Sequence, residues 1–177
     1  GLGSVTDDAE AVAAHLRAQG QKVGVVSIKL LQPFPDAEIV AALAGKRAVT
    51  VLERADSTTL TGLVVQALHR ARENADAPRH PGIPPIDALP RITTAIFGLG
   101  AHDLQPRHLV AAFAAMDKED QAPLVYLGST FFAKTPSPRL AGLQDRLAEA
   151  YPETRTMALE TGPNPHLLPE GAFRVRF

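Results

Sequence analysis

The stretch KVGVVSIKLLQPFPDAEIVAALAGKRAVTVLER, residues 22–54, decides the fold class. Residues 23–31 and 48–53 are β-branched, apolar runs that predict strands, and a short helix pattern stands between them. Two strands joined through a helix imply a parallel sheet. The first run, with Val23, Val25, Val26, Ile28, Leu30 and Leu31, is too continuously apolar for a sheet with one wet face, which predicts a central strand covered on both sides. Pro33 and Pro35 stop it, because proline cannot donate to a ladder. Asp36 is expected to cap a helix over residues 37–44, closed by Gly45. The expected class is therefore α/β, a three-layer sandwich with a mostly parallel sheet.

Upstream, Gly-Leu-Gly-Ser at residues 1–4, followed by Val-Thr-Asp-Asp, reads as a strand-to-helix turn whose strand is left out. Thr6 or Asp7 is expected to cap the helix, with Glu10 bonding back to Asp7. Val5, Ala9, Val12, Ala13 and Leu16 form its apolar stripe, and Gly20 stops it. Such a turn could hold a phosphate on free backbone N–H groups. Here the third glycine of a dinucleotide fingerprint and a P-loop lysine are both missing, and Asp7 and Asp8 already meet the positive helix end, which favours a tight turn with acidic capping.

Downstream, residues 58–74 carry the longest helical pattern, with Leu60, Leu63, Val64, Ala67, Leu68 and Ala71 on one face. Gly62 inside it predicts a close approach to a neighbour. Residues 76–90 hold five prolines in fifteen positions, which predicts an irregular crossing segment pinned by Ile83, Ile86 and Leu89. Residues 91–97 then predict a strand, Gly98-Leu99-Gly100 a tight turn, and residues 104–116 a helix opened by Gln105-Pro106. A strand over 123–128, a helix from 138 or 139 to 151, an edge strand over 155–160 and a Pro-rich linker over 161–171 follow. Residues 173–177 alternate apolar and basic side chains, a strand pattern with nothing after it to pair with. The expected division is a core over residues 1–116, a strand-helix extension and linker over 117–171, and the start of a further domain at 172–177.

Composition narrows the function classes. Charge is nearly balanced, 18 Lys plus Arg against 19 Asp plus Glu, with no long run of either sign, so neither a nucleic-acid tract nor a membrane-surface patch is expected. The absence of Cys removes disulfides, thiolate iron–sulfur ligation, Cys-type zinc sites and a cysteine nucleophile. No apolar run approaches the ~20 residues of a membrane span and no signal-peptide pattern opens the chain, so a cytoplasmic location is expected.

In a parallel sheet, function gathers at the carboxyl ends of the strands, here residues 31–35 and 53–57. The charges Glu53, Arg54 and Asp56 have two readings, a solvated loop with a local Arg54–Asp56 pair or a contact to a ligand or subunit. Phe131 and Phe132 either plug the edge of the core or belong to an interface. His15, His69, His80, His102, His108 and His166 show no i, i+4 pair with a third ligand, and Ser4, Ser57 and Ser129 lack the G-x-S-x-G context of a nucleophile elbow. No catalytic, cofactor-binding or metal-binding residue is assigned.

Taken together, Gly-Leu-Gly-Ser before a helix, KVGVVSIKLLQPFP, AVTVLERADS and IFGLGAHDLQP resemble the part of 2-oxoacid:ferredoxin oxidoreductases, pyruvate:ferredoxin oxidoreductase above all, that is similar to the transketolase C-terminal domain. The most specific pieces are Leu31-Gln32-Pro33-Phe34-Pro35 and the turn Phe97-Gly98-Leu99-Gly100 with Pro106 six residues beyond. Gln32 stands where the family usually has Arg, and Phe97 where it often has Tyr. The resemblance covers residues 1–116, and residues 173–177 look like the first strand of a gamma-type domain. It implies an enzyme that decarboxylates a 2-oxoacid on thiamine diphosphate and Mg, passes electrons through iron–sulfur clusters to ferredoxin or flavodoxin, and forms an acyl-CoA. In that family other domains hold these cofactors, so this chain is expected to bind none of them and to be inactive alone. Its expected role is scaffold and subunit contact, with Gln32, Phe34, Glu53, Arg54, Asp56, Phe131 and Phe132 as candidate interface residues. The alternatives are the equivalent domain of a transketolase or dehydrogenase E1 component, or a free-standing nucleotide-binding module that uses residues 1–4.

Overall fold

A run of apolar, β-branched residues pairs when a second such run is brought alongside, and the helices between them force the pairing to be parallel. The computed structural model, which describes residues 1–54, 58–99, 103–128, 137–153 and 157–167, contains strands β1 (Ala48–Glu53), β2 (Arg91–Ile96) and β3 (Leu124–Tyr126) in the order β1-β2-β3. Both pairings are parallel, with Thr50 opposite Thr93 and Ala95 opposite Val125. The helices are α1 (Val5–Ala18), α2 (Asp36–Leu43), α3 (Thr59–Asp76), α4 (Pro106–Ala115) and α5 (Pro138–Ala150). One face of the sheet, through Val49 and Val51, packs on Ile39, Val40 and Leu43 of α2 and on Leu60, Val64 and Leu68 of α3. On the other face, Leu52 meets Ala9, Val12 and Leu16 of α1 and Leu109 and Phe113 of α4. The three-layer α/β expectation holds.

Residues 23–31 depart from expectation. They are extended, and Ile28 makes one parallel bridge, to Leu2, but no ladder forms and no named strand results. The side chains nevertheless alternate as in a strand: Val23 and Val25 pack on the α1/α4 cluster, Val26 and Ile28 on the α2/α3 cluster. Leu30 and Leu31, expected inside, are 50% and 40% exposed. A ladder needs a backbone partner along its whole length, and among the described residues only Gly1 and Leu2 offer one here: Gly1 N donates to the Val26 carbonyl at 3.1 Å, and Ile28 N to the Gly1 carbonyl at 2.9 Å.

Helix starts also differ in detail. Helix α1 opens at Val5 with Ser4 before it, so Thr6 is an internal residue; its hydroxyl donates to the Gly3 carbonyl at 2.7 Å and sits 3.1 Å from Ser27 Oγ. The expected stripe of Val5, Ala9, Val12, Ala13 and Leu16 is buried throughout. Asp36 is the first residue of α2 rather than its cap, and its carboxylate instead accepts from Arg70 Nη1 at 2.7 Å. Gly62 has nothing within 4 Å of where a Cβ would stand, so no close approach explains it.

The Pro-rich crossing segment is pinned, though not as expected. Ile86 is buried and its N–H donates to the Ala71 carbonyl at 3.2 Å, whereas Leu89 is 52% exposed. The main clasp is Asn74, a polar residue at the end of α3. Its amide nitrogen donates to the His80 and Ile83 carbonyls and its carbonyl accepts from Arg79 N and His80 N, all four at 2.8 Å.

Beyond β3, Ser137 caps α5 by accepting from Leu140 N at 3.4 Å. Of the expected edge strand, the described residues 157–160 make one parallel bridge, Tyr126 to Ala158. Asn164 reaches the start of α4, accepting from Arg107 N at 3.1 Å and donating to Gln105 Oε1 at 3.2 Å. The expected strand at 173–177 lies outside the described residues, as do Asp56, Phe131, Phe132, Gly100 and His102.

Candidate functional site

The carboxyl end of the sheet is built by the residues that leave β1, β2 and β3, together with the turn before α1. Glu53 closes β1 and is only 8% exposed. Its Oε1 accepts from Thr61 N at 2.7 Å, in the first turn of α3, where backbone N–H groups lack helical partners and the helix dipole is positive. Its own carbonyl accepts from Phe97 N at 2.9 Å, which joins the ends of β1 and β2. The solvated-loop reading is thus overturned for Glu53: its carboxylate is an internal helix cap. Arg54 is exposed and runs beside Gly98, whose φ of 79° leaves a face on which a Cβ would stand 3.4 Å from Arg54 Cγ.

Gln32 and Phe34 lie in a different place. Gln32 is exposed and precedes Pro33 through a cis peptide bond. Phe34 packs against the α2/α3 core cluster and borders an open surface hollow of about 520 Å³ with Asp36, Arg70, His80 and Ile83. That hollow includes neither Glu53 nor Arg54. Close to it, His80 Nε2 and Glu73 Oε2 are 2.7 Å apart, and this bond holds the Glu73 carboxyl below the usual carboxylate range. The candidate residues are therefore divided between two surfaces.

One residue at the carboxyl end carried no sequence-based role. His108, in the first turn of α4, is 5% exposed, and its Nδ1 accepts from Gln105 N at 3.0 Å. Burial first, and the neighbouring Arg107 charge second, push its imidazole below the ordinary histidine range, which keeps it neutral and able to accept. Its ring lies against Gly128, just past β3. The Gln105-Pro106 start was the available signal, since a polar side chain three residues after such a start can bond back to it.

Among the described residues the amine of Gly1 is strongly perturbed. Burial lowers its ammonium from 8.0 to about 6, and the Glu53 carboxylate opposes that shift. A cation whose folded pKa is depressed costs stability while charged. The cost is fully present below about pH 6 and disappears as pH rises to 8. The chain with a free Gly1 amine should therefore gain about 1–2 kcal/mol between those limits, after allowance for residual solvent exposure. His108 adds stability in the same direction at lower pH, so the amine contribution is read as the difference between the free and Nα-acetylated chains in urea denaturation. Parallel pH profiles for the two would contradict it.

Among the described residues no group of three or more His, Asp or Glu side chains could hold a metal ion. No described helix is long and apolar enough to cross a membrane.

Comparison with known proteins adds what this geometry does not supply. Residues 1–84 match the family model described as pyruvate:ferredoxin oxidoreductase core domain II. The chain is 30% identical over 112 residues to pyruvate synthase subunit PorA of Thermotoga maritima, an overlap covering 63% of this chain and 26% of that protein. It is 28% identical over 111 residues to the subunit of the same name from Methanothermobacter thermautotrophicus, covering 61% and 24%. It is 28% identical over 118 residues to a pyruvate-flavodoxin oxidoreductase of Nostoc sp., covering 63% and 10%. The chain thus spans about a quarter of the PorA relatives and a tenth of the Nostoc protein. Residues 1–84, which supply α1, α2, β1 and α3, are thus similar to a pyruvate:ferredoxin oxidoreductase-type domain, the core domain II.

Proposed function

We propose that the chain is a structural and subunit-contact domain of a thiamine-diphosphate-dependent pyruvate:ferredoxin oxidoreductase, a cytoplasmic enzyme that oxidatively decarboxylates its 2-oxoacid to an acyl-CoA. The observation that carries this reading is the use of Glu53. The buried carboxylate at the carboxyl end of β1 bonds Thr61 N and so holds α3, which gives the charge a framework role rather than a catalytic one. Arg54, exposed beside Gly98 at the same end, is the described residue best placed to meet a neighbouring domain.

The residues of this chain do not fit the cofactors of such an enzyme. Without Cys it offers no thiolate to an iron–sulfur cluster. A diphosphate at the turn before α1 would face Asp7 and Asp8, and the Thr6 hydroxyl there already donates to the Gly3 carbonyl. Thiamine diphosphate, Mg, the clusters and CoA are therefore assigned to other parts of the complete enzyme, and ferredoxin or flavodoxin to its electron-accepting partners. In this reading residues 117–171 are a strand-helix extension and linker, and residues 172–177 begin a gamma-type domain.

Supplied with pyruvate, CoA and thiamine diphosphate, the isolated chain should show no reduction of a viologen dye. In the complete enzyme, charge reversal by Arg54→Glu should weaken assembly. Turnover by the chain alone, or an Arg54→Glu enzyme with unaltered assembly and activity, would count against the proposal.

A further inference from the structure

Residues 157–167 lie along the start of α4 as a strap. Near one end Ala158 bridges to Tyr126 of β3 and Leu159 packs on the cluster of Phe97, Ala112 and Leu127; at the other end Leu167 packs on the cluster of Leu109 and Phe113. Between these apolar attachments stands Asn164, whose carbonyl accepts from Arg107 N at 3.1 Å and whose amide donates to Gln105 Oε1 at 3.2 Å. Both bonds are exposed, so the strap opens at lower cost than the sheet.

Gln105, which Asn164 grips, is itself set by His108. The Gln105 side chain accepts from the His108 backbone N–H, and the Gln105 N–H donates to His108 Nδ1 at 3.0 Å. A ring nitrogen accepts only while it carries no proton, and an imidazolium has two donors and no acceptor. Protonation therefore sets N–H against N–H at the cap and puts a second cation beside Arg107, in a site only 5% exposed. The ring has no room to turn away from the cap, because it lies against Gly128, where a Cβ would stand 3.0 Å from Cε1. Relief comes at Gln105, and the grip of Asn164 goes with it. Of the charged and titratable groups described around the ring, Asp103 precedes α4, Arg107 shares it, Tyr126 ends β3, and Glu160 and His166 lie on the strap; Arg107 is the one whose charge acts on the imidazole.

We infer that His108 is a proton-operated latch on the strap: neutral, it fixes Gln105 where Asn164 binds, and protonated, it breaks the α4 cap and frees residues 157–167 from that helix. The sign follows from burial. The closed form holds the imidazole below its ordinary value of 6.5, and the open form, with the ring wetted, returns it there. Opening therefore takes up a proton. Its equilibrium constant rises by up to tenfold per pH unit as pH falls below 6.5, until the closed ring is itself charged.

The test follows the 177-residue chain by NMR from about pH 7.5 to about pH 5. Protection of the Gln105 and Arg107 amides, corrected for intrinsic exchange, should fall by up to about fivefold between about pH 6.5 and 5.5, while Thr94 and Phe97 in the sheet keep theirs. Backbone shifts of residues 158–167 should titrate with the His108 ring and not with that of His166. His108→Asn keeps an acceptor near the Nδ1 position without a titrating proton, so it should hold the protection constant over the range, whereas His166→Gln should leave the fall in place. A fall that persists in His108→Asn, or sheet amides that lose protection in parallel, would overturn the latch. The unaltered chain decides even where His108→Asn fails to fold, because ring and strap signals with separate midpoints would overturn it as well.

Discussion

Replacing Asn74 with alanine is expected to lower the unfolding free energy by about 2–4 kcal/mol, from four bonds worth roughly 0.5–1.5 kcal/mol each and shared with solvent. All four of its amide hydrogen bonds run to backbone groups of residues 79, 80 and 83, in a segment whose prolines deny it a ladder or helix of its own. Without that side chain, the Ile83 carbonyl and the Arg79 and His80 N–H groups must find water, while the His80 carbonyl keeps the Ile83 N–H at 3.3 Å. The loss should be local before it is global: amide exchange at Arg79 and His80 should accelerate more than exchange in β2. Asn74→Asp keeps an oxygen to accept from Arg79 N and His80 N but sets a carboxylate against two carbonyls, so it should not rescue. A loss below 1 kcal/mol in urea denaturation would show that the segment is held by Ile83 and Ile86 packing instead.

Gly128→Ala should cost about 2–5 kcal/mol, combining a left-handed backbone penalty of about 1–2 with overpacking of about 1–3. The residue has a φ of 73°, and a Cβ there would stand 3.0 Å from Cε1 and 3.2 Å from Nδ1 of His108. The imidazole cannot swing aside freely, because it is buried and accepts from Gln105 N. Gly45→Ala is the internal control, with a φ of 68° and nothing within 4 Å of its Cβ position, so it should show the backbone part alone. The difference between the two variants measures the contact with His108. In a double-mutant cycle, His108→Ala should recover part of the Gly128→Ala loss but not its backbone component. Identical losses at Gly45 and Gly128 would mean that the ring yields without cost.

Periodicity made the elements legible. The stripes of α1, α3 and α4 were readable because helical spacing marks a face wherever a helix packs on a sheet, and β1, β2 and β3 were readable as short apolar runs between helices. Caps were less legible. Asp36 has the residue type of an N-cap, but Arg70, thirty-four positions away, takes its carboxylate. Glu53 read as a loop charge because nothing local reveals that Thr61 N will stand 2.7 Å from it. Of the candidate contact residues, Phe34 and Glu53 parted company once the chain folded, since sequence proximity to a strand end does not say which surface a turn joins.

The amino-acid sequence alone determined the α/β class, the parallel sense of the sheet, the apolar faces of its helices and the family resemblance over residues 1–116, all of which rest on local spacing and short motifs. Only the tertiary structure decided which polar groups are consumed as caps and clasps, because those bonds join residues far apart in the chain. It alone decided as well that residues 22–28, strand-like in every local respect, form no ladder. A strand is completed by its neighbours, and the position between this segment and β1 is an open slot.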